Sequence, residues 1–226
     1  MNKKIKILLL TNKDSKQKIF GNLKKIFNNA EITVKTFSKP GLTANFKFKK
    51  NYFDYIFNFR SFLILSSKNI GMANLACINF HPAPPKYRGR GGINYAINDN
   101  EKKYGVTAHL MDKKIDHGPI LLVKYFKIPK NPTVEKLFNL TLKNLYLLAN
   151  VIFEKIKKDN KNLDKMLKEG ERYKWSRKIS NTKDMDKFYR INIESKKNTF
   201  LKKIRATNYK FHKPYLQIHG LKFFLK

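Results

Sequence analysis

Along this chain, short hydrophobic runs alternate with longer stretches of helical period. Residues 4–10 (KIKILLL) form a brief apolar run closed by Thr-Asn, the pattern of a strand buried on both faces of a parallel sheet. Residues 15–28 place Ile19, Leu23, Ile26 and Phe27 on one helical face. Residues 31–36 (EITVKT) alternate as a strand does, whereas 38–51 carry turn formers and no clear period. Residues 52–59 (YFDYIFNF) and 76–80 (ACINF) read as central strands. A helix is predicted over 92–99, and strands over 104–111 and 120–127. The clearest helix opens at Thr133, an N-cap residue type, with Glu135 in its first turn. Its apolar spacing persists from Val134 to Ile156.

Strands alternating with helices predict an α/β fold, a mostly parallel sheet flanked by helices. After Ile156 the composition turns polar and Lys-rich, which divides the chain into 1–158 and 159–226. Residues 214–225 (PYLQIHGLKFFL) read as two short strands around Gly220. The second part is therefore expected to be a linker and a small C-terminal β-containing subdomain.

Composition bounds the class. Hydrophobic residues make up 42% of the chain, with 18 Phe and 11 Tyr, enough for a core and too many for a disordered chain. Cys77 is the single cysteine, so no internal disulfide forms and a reducing compartment fits. The opening MNKKIKILLL mimics a signal peptide briefly, but its apolar run is short and meets polar Thr11, Asn12, Lys13 and Asp14. No stretch approaches the roughly 20 apolar residues of a membrane helix. A soluble cytoplasmic protein, not a membrane one, is expected. The net charge of +33 points at first to nucleic acid. Only seven of the 49 basic residues are Arg, however, and the Lys are spread over the whole chain. Asn, Ile, Phe and Tyr are abundant too, and all these residues share A/T-rich codons. Solvated lysine accounts for most of the charge, although it would still draw polyanions at low salt.

The chemistry sits in 76–121. Asn79 and His81 lie two apart at the end of a predicted strand, so they share a face. Pro82, Pro84 and Pro85 stop that strand, and the carboxyl ends of strands are where open α/β sheets build sites. A second loop, 112–118, ends in the turn formers Asp116, His117 and Gly118 and can present a carboxylate. Without a Cys or Ser nucleophile, Asn, His and Asp together suit acyl transfer to an external amine. His moves a proton, Asn donates to an oxyanion, and Asp orients an imidazole and favours its charged form. No protein nucleophile is needed when donor and acceptor lie side by side. His109 is open between packing and a supporting role, and His117 is expected to face solvent. His81, His109 and His117 lack a Cys partner or a helical His pair, so no metal is expected. Lys86, Arg88 and Arg90 can grip an acceptor phosphate, while Tyr87 and Tyr95 read as packing residues.

Four pieces combine: Asn79-x-His81-Pro82, Tyr87-Arg88-Gly89, Gly105-Val106-Thr107-x-His109 and Asp116-x-Gly118-Pro119-Ile120. Together they resemble the formyltransferases that use 10-formyltetrahydrofolate. That family includes methionyl-tRNA, glycinamide ribonucleotide and sugar N-formyltransferases. The resemblance implies a Rossmann-like fold and a catalytic set of Asn79, His81 and Asp116. It implies a folate site along Phe62, Leu63, Ile64 and Leu65 and along the loop of Met111, Asp112 and Ile115. It also implies transfer of a formyl group from 10-formyltetrahydrofolate to a primary amine without a metal. The loop after Pro82 is Ala-Pro-Pro, where the tRNA enzyme usually carries Ser-Leu-Leu-Pro. The tail from Trp175 resembles the short β-rich tail of sugar-type enzymes. The favoured acceptor is thus a nucleotide-linked amino sugar, and a homodimer is compatible. The alternatives are methionyl-tRNA, which the charge favours, glycinamide ribonucleotide, and an RNA-binding relative without catalysis.

Overall fold

A computed structural model describes residues 4–37, 44, 46–210 and 212–225. In chain order the first elements are β1 (Lys6–Thr11), α1 (Lys13–Ile26), β2 (Glu31–Thr36), β3 (Phe53–Phe59), α2 (Ser67–Ile70) and β4 (Ala73–His81). Next come β5 (Arg88–Gly89), α3 (Gly92–Asn98), β6 (Lys103–Leu110), β7 (Ile120–Lys127) and α4 (Val134–Lys158). The chain ends with α5 (Asn162–Gly170), β8 (Ile179–Ser180), α6 (Thr182–Tyr189), α7 (Lys197–Thr207), β9 (Tyr215–Ile218) and β10 (Leu221–Phe224). Part of the aperiodic stretch, 38–43 and 45, lies outside the described residues, as do 1–3.

The chain forms two compact units. The first comprises Met1–His81, Val106–Lys124 and Leu145–Lys174, and the second Pro82–Gly105, Tyr125–Asn144 and Trp175–Lys226.

The first unit is built on a six-stranded sheet in the order β2-β1-β3-β4-β6-β7. The pairings β1–β2, β1–β3 and β3–β4 are parallel, and β6 enters antiparallel to β4. The sheet is thus mixed and mostly parallel, as the alternating pattern predicted. Ile7 to Leu10 of β1 are fully buried, because a central parallel strand is covered on both faces. Side-chain alternation sorts the core into two layers. Phe57 and Phe80 point to one face, where Phe153 of α4 lies 4.7 Å and 5.7 Å from their ring centres. Phe27, just beyond α1, lies 6.5 Å from Phe153 on the same side. Burying rings of this size contributes about 1.5–3 kcal/mol each. Leu8, Leu10, Ile56 and Cys77 point to the other face and cluster with Phe46, Phe53, Leu63 and Leu65.

Helix α1 begins two residues earlier than its apolar stripe suggests. The Asn12 side chain accepts the Ser15 amide and nucleates the first turn there. Strand β4 reaches back to Ala73, through exposed residues whose pattern gives no sign of pairing.

In the second unit, Thr133 caps α4 as expected, its Oγ1 accepting from the Lys136 amide at 3.2 Å. Ala83, Ala96, Ile97, Tyr104, Leu137, Phe188 and Ala206 form its core. The strands predicted around Gly220 are β9 and β10, paired antiparallel. The chain beyond 158 holds more helix than strand, since α5, α6 and α7 lie in Lys-rich sequence whose apolar positions are sparse. Among the described residues, no helix is long and apolar enough to cross a membrane.

Candidate active site

Asn79 and His81 end β4 on the face of Cys77, opposite Phe80. Register places three polar residues side by side across the sheet. Asn58 of β3 is the partner of Asn79, and Asn79 is the partner of His109 of β6. One step on, His81 pairs with Thr107. A row of polar groups therefore crosses the carboxyl end of a sheet that is otherwise apolar.

The Asp116 carboxylate reaches this row from the loop after β6. Leu110 donates its amide to the Pro119 carbonyl at 2.9 Å, and Met111 donates to the Cys77 carbonyl at 2.8 Å, which pins both ends of the loop. Gly118 permits the close return, because a Cβ there would lie 2.0 Å from the Leu110 carbonyl oxygen. Asp116 itself adopts φ 44°, a left-handed conformation that Asp tolerates better than most residues. The Asp112 carboxylate braces the loop by accepting from the Lys114 amide at 2.8 Å and pairing with His117 at 2.6 Å.

The three predicted catalytic residues come together. His81 Nδ1 lies 3.3 Å from Asp116 Oδ2, and both side chains are buried. Asn79 Nδ2 lies 3.5 Å from Asp116 Oδ1 and 3.0 Å from His109 Nε2. His109 Nε2 is 3.6 Å from Asp116 Oδ1. Asn79 is the partly exposed member of the set. A buried imidazole–carboxylate pair beside an accessible carboxamide can move a proton and donate a hydrogen bond at one point. His109, open on sequence grounds, proves to be a direct neighbour of both Asn79 and Asp116. His117 is about half exposed, as expected, but it holds Asp112 rather than standing alone.

Two participants escaped the sequence reading. Asn58 donates from Nδ2 to Asn79 Oδ1 at 3.0 Å, and Ser61 donates to Asn58 Oδ1 at 2.5 Å. The signal was a lone Asn inside the apolar run YIFNF, two residues beyond Ile56 and hence on its face. Ser61 sits between Arg60 at φ 57° and Phe62 at φ 61°. Left-handed backbone costs roughly 1–2 kcal/mol for each such residue.

The residues expected to face folate divide. Leu63 and Leu65 are buried in the core, whereas Phe62, Ile64 and Ile115 are 45%, 52% and 47% exposed. Met111 packs partly buried against the core, and the Asp112 side chain is engaged within its own loop. Apolar side chains held open on both segments fit the face of a flat ring system. Among the described residues, no group of three or more His, Cys, Asp or Glu could hold a metal ion.

The second unit contains a cavity of about 260 Å³ lined by Lys86, Tyr87, Arg88, Tyr95, Lys178 and Ser180, among others. Lys86 pairs with Glu101, and Arg88 donates to the Ser176 carbonyl at 3.0 Å. Arg90 is exposed and does not line this cavity. Tyr87 and Tyr95 pack against Tyr104 and Phe188, in line with the sequence reading. Burial and the carboxylates of Asp99 and Glu101 push the Tyr87 phenol up.

Comparison with known proteins bears on the same residues. The methionyl-tRNA formyltransferase of Caldanaerobacter subterraneus subsp. tengcongensis is 38% identical over 96 residues, 42% of this chain and 30% of that enzyme. The chain spans less than a third of the length of the curated relatives it matches. A sugar N-formyltransferase from a Shewanella species superposes with a TM-score of 0.73 at 18% identity, covering 98% of this chain and 96% of that one. An N-formyltransferase from Helicobacter canadensis, solved with folinic acid and dTDP-3-aminofucose, gives 0.66 at 17% identity, covering 97% and 86%. These two establish likeness of fold. The sequence profile of the formyl transferase family matches residues 4–146, which contain Asn79, His81 and Asp116, and the chain belongs to that family.

Proposed function

We propose that this protein transfers a formyl group from 10-formyltetrahydrofolate to a primary amine, and that the acceptor is a nucleotide-linked amino sugar. The observation that carries the reading is the buried His81–Asp116 pair at 3.3 Å beside the Asn79 carboxamide. The folate donor supplies an activated formyl carbon. The chain's own residues do the rest. Asn79 donates an N–H to the formyl oxygen as charge grows there, which favours addition over the resting state. His81 takes the proton from the attacking nitrogen and returns it to the departing one. Asp116 holds the His81 ring through Nδ1 and offsets its transient positive charge. Phe62, Ile64 and Ile115 would cover the faces of the pterin.

The acceptor class rests on separate support. The chain matches sugar-type enzymes over nearly their full length, and one of them was solved with a nucleotide-linked amino sugar. The cavity bearing Lys86, Arg88 and Lys178 supplies cations for a diphosphate, and Asp99 on the same lining can accept from the sugar or base. We place Arg90 as an outer phosphate contact. Self-association belongs to the same proposal, because Leu221 and Phe223, two apart on β10 and both exposed, offer an apolar face that sedimentation can test.

Initiator tRNA is the second reading, favoured by the 38% identity to a methionyl-tRNA formyltransferase. Incubation with 10-formyltetrahydrofolate and a panel of nucleotide amino sugars, glycinamide ribonucleotide and charged initiator tRNA separates these acceptors by release of tetrahydrofolate. Turnover is expected with a nucleotide amino sugar. No folate binding and no turnover with any acceptor would sink the formyl-transfer reading.

A further inference from the structure

The hydrogen bonds behind Asn79 run in one direction. At one end the Leu63 amide donates to Ser61 Oγ at 3.2 Å. Ser61 Oγ then gives its single proton to Asn58 Oδ1 at 2.5 Å. With its oxygen so engaged, Asn58 turns Nδ2 to Asn79 Oδ1, at 3.0 Å. Asn79 must therefore turn Nδ2 the other way, to His109 Nε2 at 3.0 Å and Asp116 Oδ1 at 3.5 Å. At the far end, His109 Nδ1 lies 2.7 Å from the Leu110 carbonyl, which can only accept. Nδ1 therefore carries the ring proton, and Nε2 offers the lone pair that Asn79 needs. The backbone acceptor at the His109 end sets the direction of every group back to Ser61, whose Oγ also accepts the Leu63 amide.

We propose that Ser61 and Asn58 are positioning residues, which act through Asn79 to keep its N–H face, rather than its carbonyl, turned toward Asp116. This rests on the formyl-transfer reading, in which Asn79 keeps one N–H on His109 Nε2 and turns the other, held only at 3.5 Å from Asp116 Oδ1, to the formyl oxygen. A reversed carboxamide would present an oxygen to the Asp116 carboxylate and to the developing oxyanion alike, and would repel both. Reversal also requires His109 to carry a proton on Nε2, so the orientation of Asn79 and the protonation of His109 are coupled. The backbone supports the assignment. Arg60 and Phe62 adopt φ 57° and 61° on either side of Ser61, and this turn brings its hydroxyl back onto the residue three before it. Side-chain volume alone would not call for it, since alanine fills nearly the same fully buried space. Strain retained around one hydroxyl is the mark of a functional constraint.

The test uses the full chain and its Ser61→Ala, Ser61→Thr and Asn58→Asp variants. In Ser61→Ala, kcat is expected to fall about 10-fold, a fraction of the effect of deleting an oxyanion donor outright. KM for both substrates should stay within about two-fold and the melting temperature should fall by several degrees as the Leu63 amide and Asn58 oxygen lose their partner, with the chain still folded at the assay temperature, while Ser61→Thr recovers most of kcat. Asn58→Asp can accept but not donate, so the Asn79 carboxamide is expected to reverse and draw a proton onto His109 Nε2. Nitrogen-15 spectra of the imidazoles read this directly, with an Nδ1–H neutral ring in the parent chain and a doubly protonated ring in Asn58→Asp. Parent-like His109 signals in Asn58→Asp would overturn the proposal. So would a loss in Ser61→Ala that tracks unfolding and is not recovered by Ser61→Thr. If the parent chain shows no turnover, the formyl-transfer reading fails, and the His109 spectra still decide the relay by themselves.

Discussion

His81 turns Nδ1 to Asp116 at 3.3 Å, so Nε2 on the opposite edge of the ring is the atom assigned to proton transfer. Replacing His81 by Ala removes that atom and leaves Phe62, Ile64 and Ile115 untouched. In His81→Ala, kcat is expected to drop about 10³-fold, within the range of general acid–base catalysis. Folate affinity, followed by fluorescence titration, should change little, and a variant that keeps most of its turnover would refute the assigned role. Lys203 shows a different use of a charged side chain. Burial lowers its ammonium to about 8, and Nζ sits 3.4 Å from the centre of the Phe188 ring. An unfolded lysine titrates near about 10.4, so between about 8 and 10.4 the unfolded chain holds a proton that the native chain has released. Stability therefore rises with pH through that window, and the penalty is complete below it. Lys203→Met should stabilise the protein by about 1 kcal/mol at pH 7, after allowing for solvent screening of a half-exposed group and the lost cation–π contact. The gain should vanish by about pH 10.5, as read from urea midpoints at the two pH values. Equal gains at both would contradict the cause given.

Single elements depend on a few close approaches. Gly170 closes α5 with its backbone against β7, and a Cβ there would lie 1.7 Å from the Ile120 carbonyl oxygen. The obstacle is backbone in a sheet, so it cannot swing aside. Gly170→Ala is expected to cost about 3 kcal/mol and lower the melting temperature by roughly 6–12 °C. A calorimetric scan within 1 °C of the parent would show that α5 shifts more easily than this packing allows. The long helices and most of the sheet were legible in the sequence, because burial imposes a period on the apolar residues of β1, β3, β6, β7 and α4. Helices α5, α6 and α7 were not, since each buries only a few side chains and the rest of its surface is lysine-rich. The first three residues of β4 were missed for the related reason that Asn74 and Leu75 are exposed and Ala73 is only partly buried.

At the scale of the whole molecule, the net charge of +33 attracts any polyanion. Lysine dispersed over the surface gives a field without a shaped site, and such binding weakens steeply with salt. Unrelated tRNA should bind at about 50 mM salt and be released by about 300 mM, as followed by fluorescence anisotropy. Initiator tRNA that stays bound at the higher salt, and is preferred over other tRNAs, would move the acceptor assignment toward the tRNA reading. Nucleotide amino sugars gain from the same field as small anions without needing an extended surface.

Sequence by itself determined the α/β class and the family, and picked out Asn79, His81 and Asp116, which the fold brings together. Strand-end position and turn chemistry are local properties, and each leaves a local signature. Tertiary structure alone decided which polar groups stand next to one another. Asn58, Asn79 and His109 are 21 and 30 residues apart along the chain and adjacent only through strand register. Ser61 reaches them only through a left-handed turn that no hydrophobic pattern records. Register and backbone handedness arise from pairing and packing of the whole sheet, so the direction of the hydrogen bonds behind Asn79 could be read only once the chain had folded.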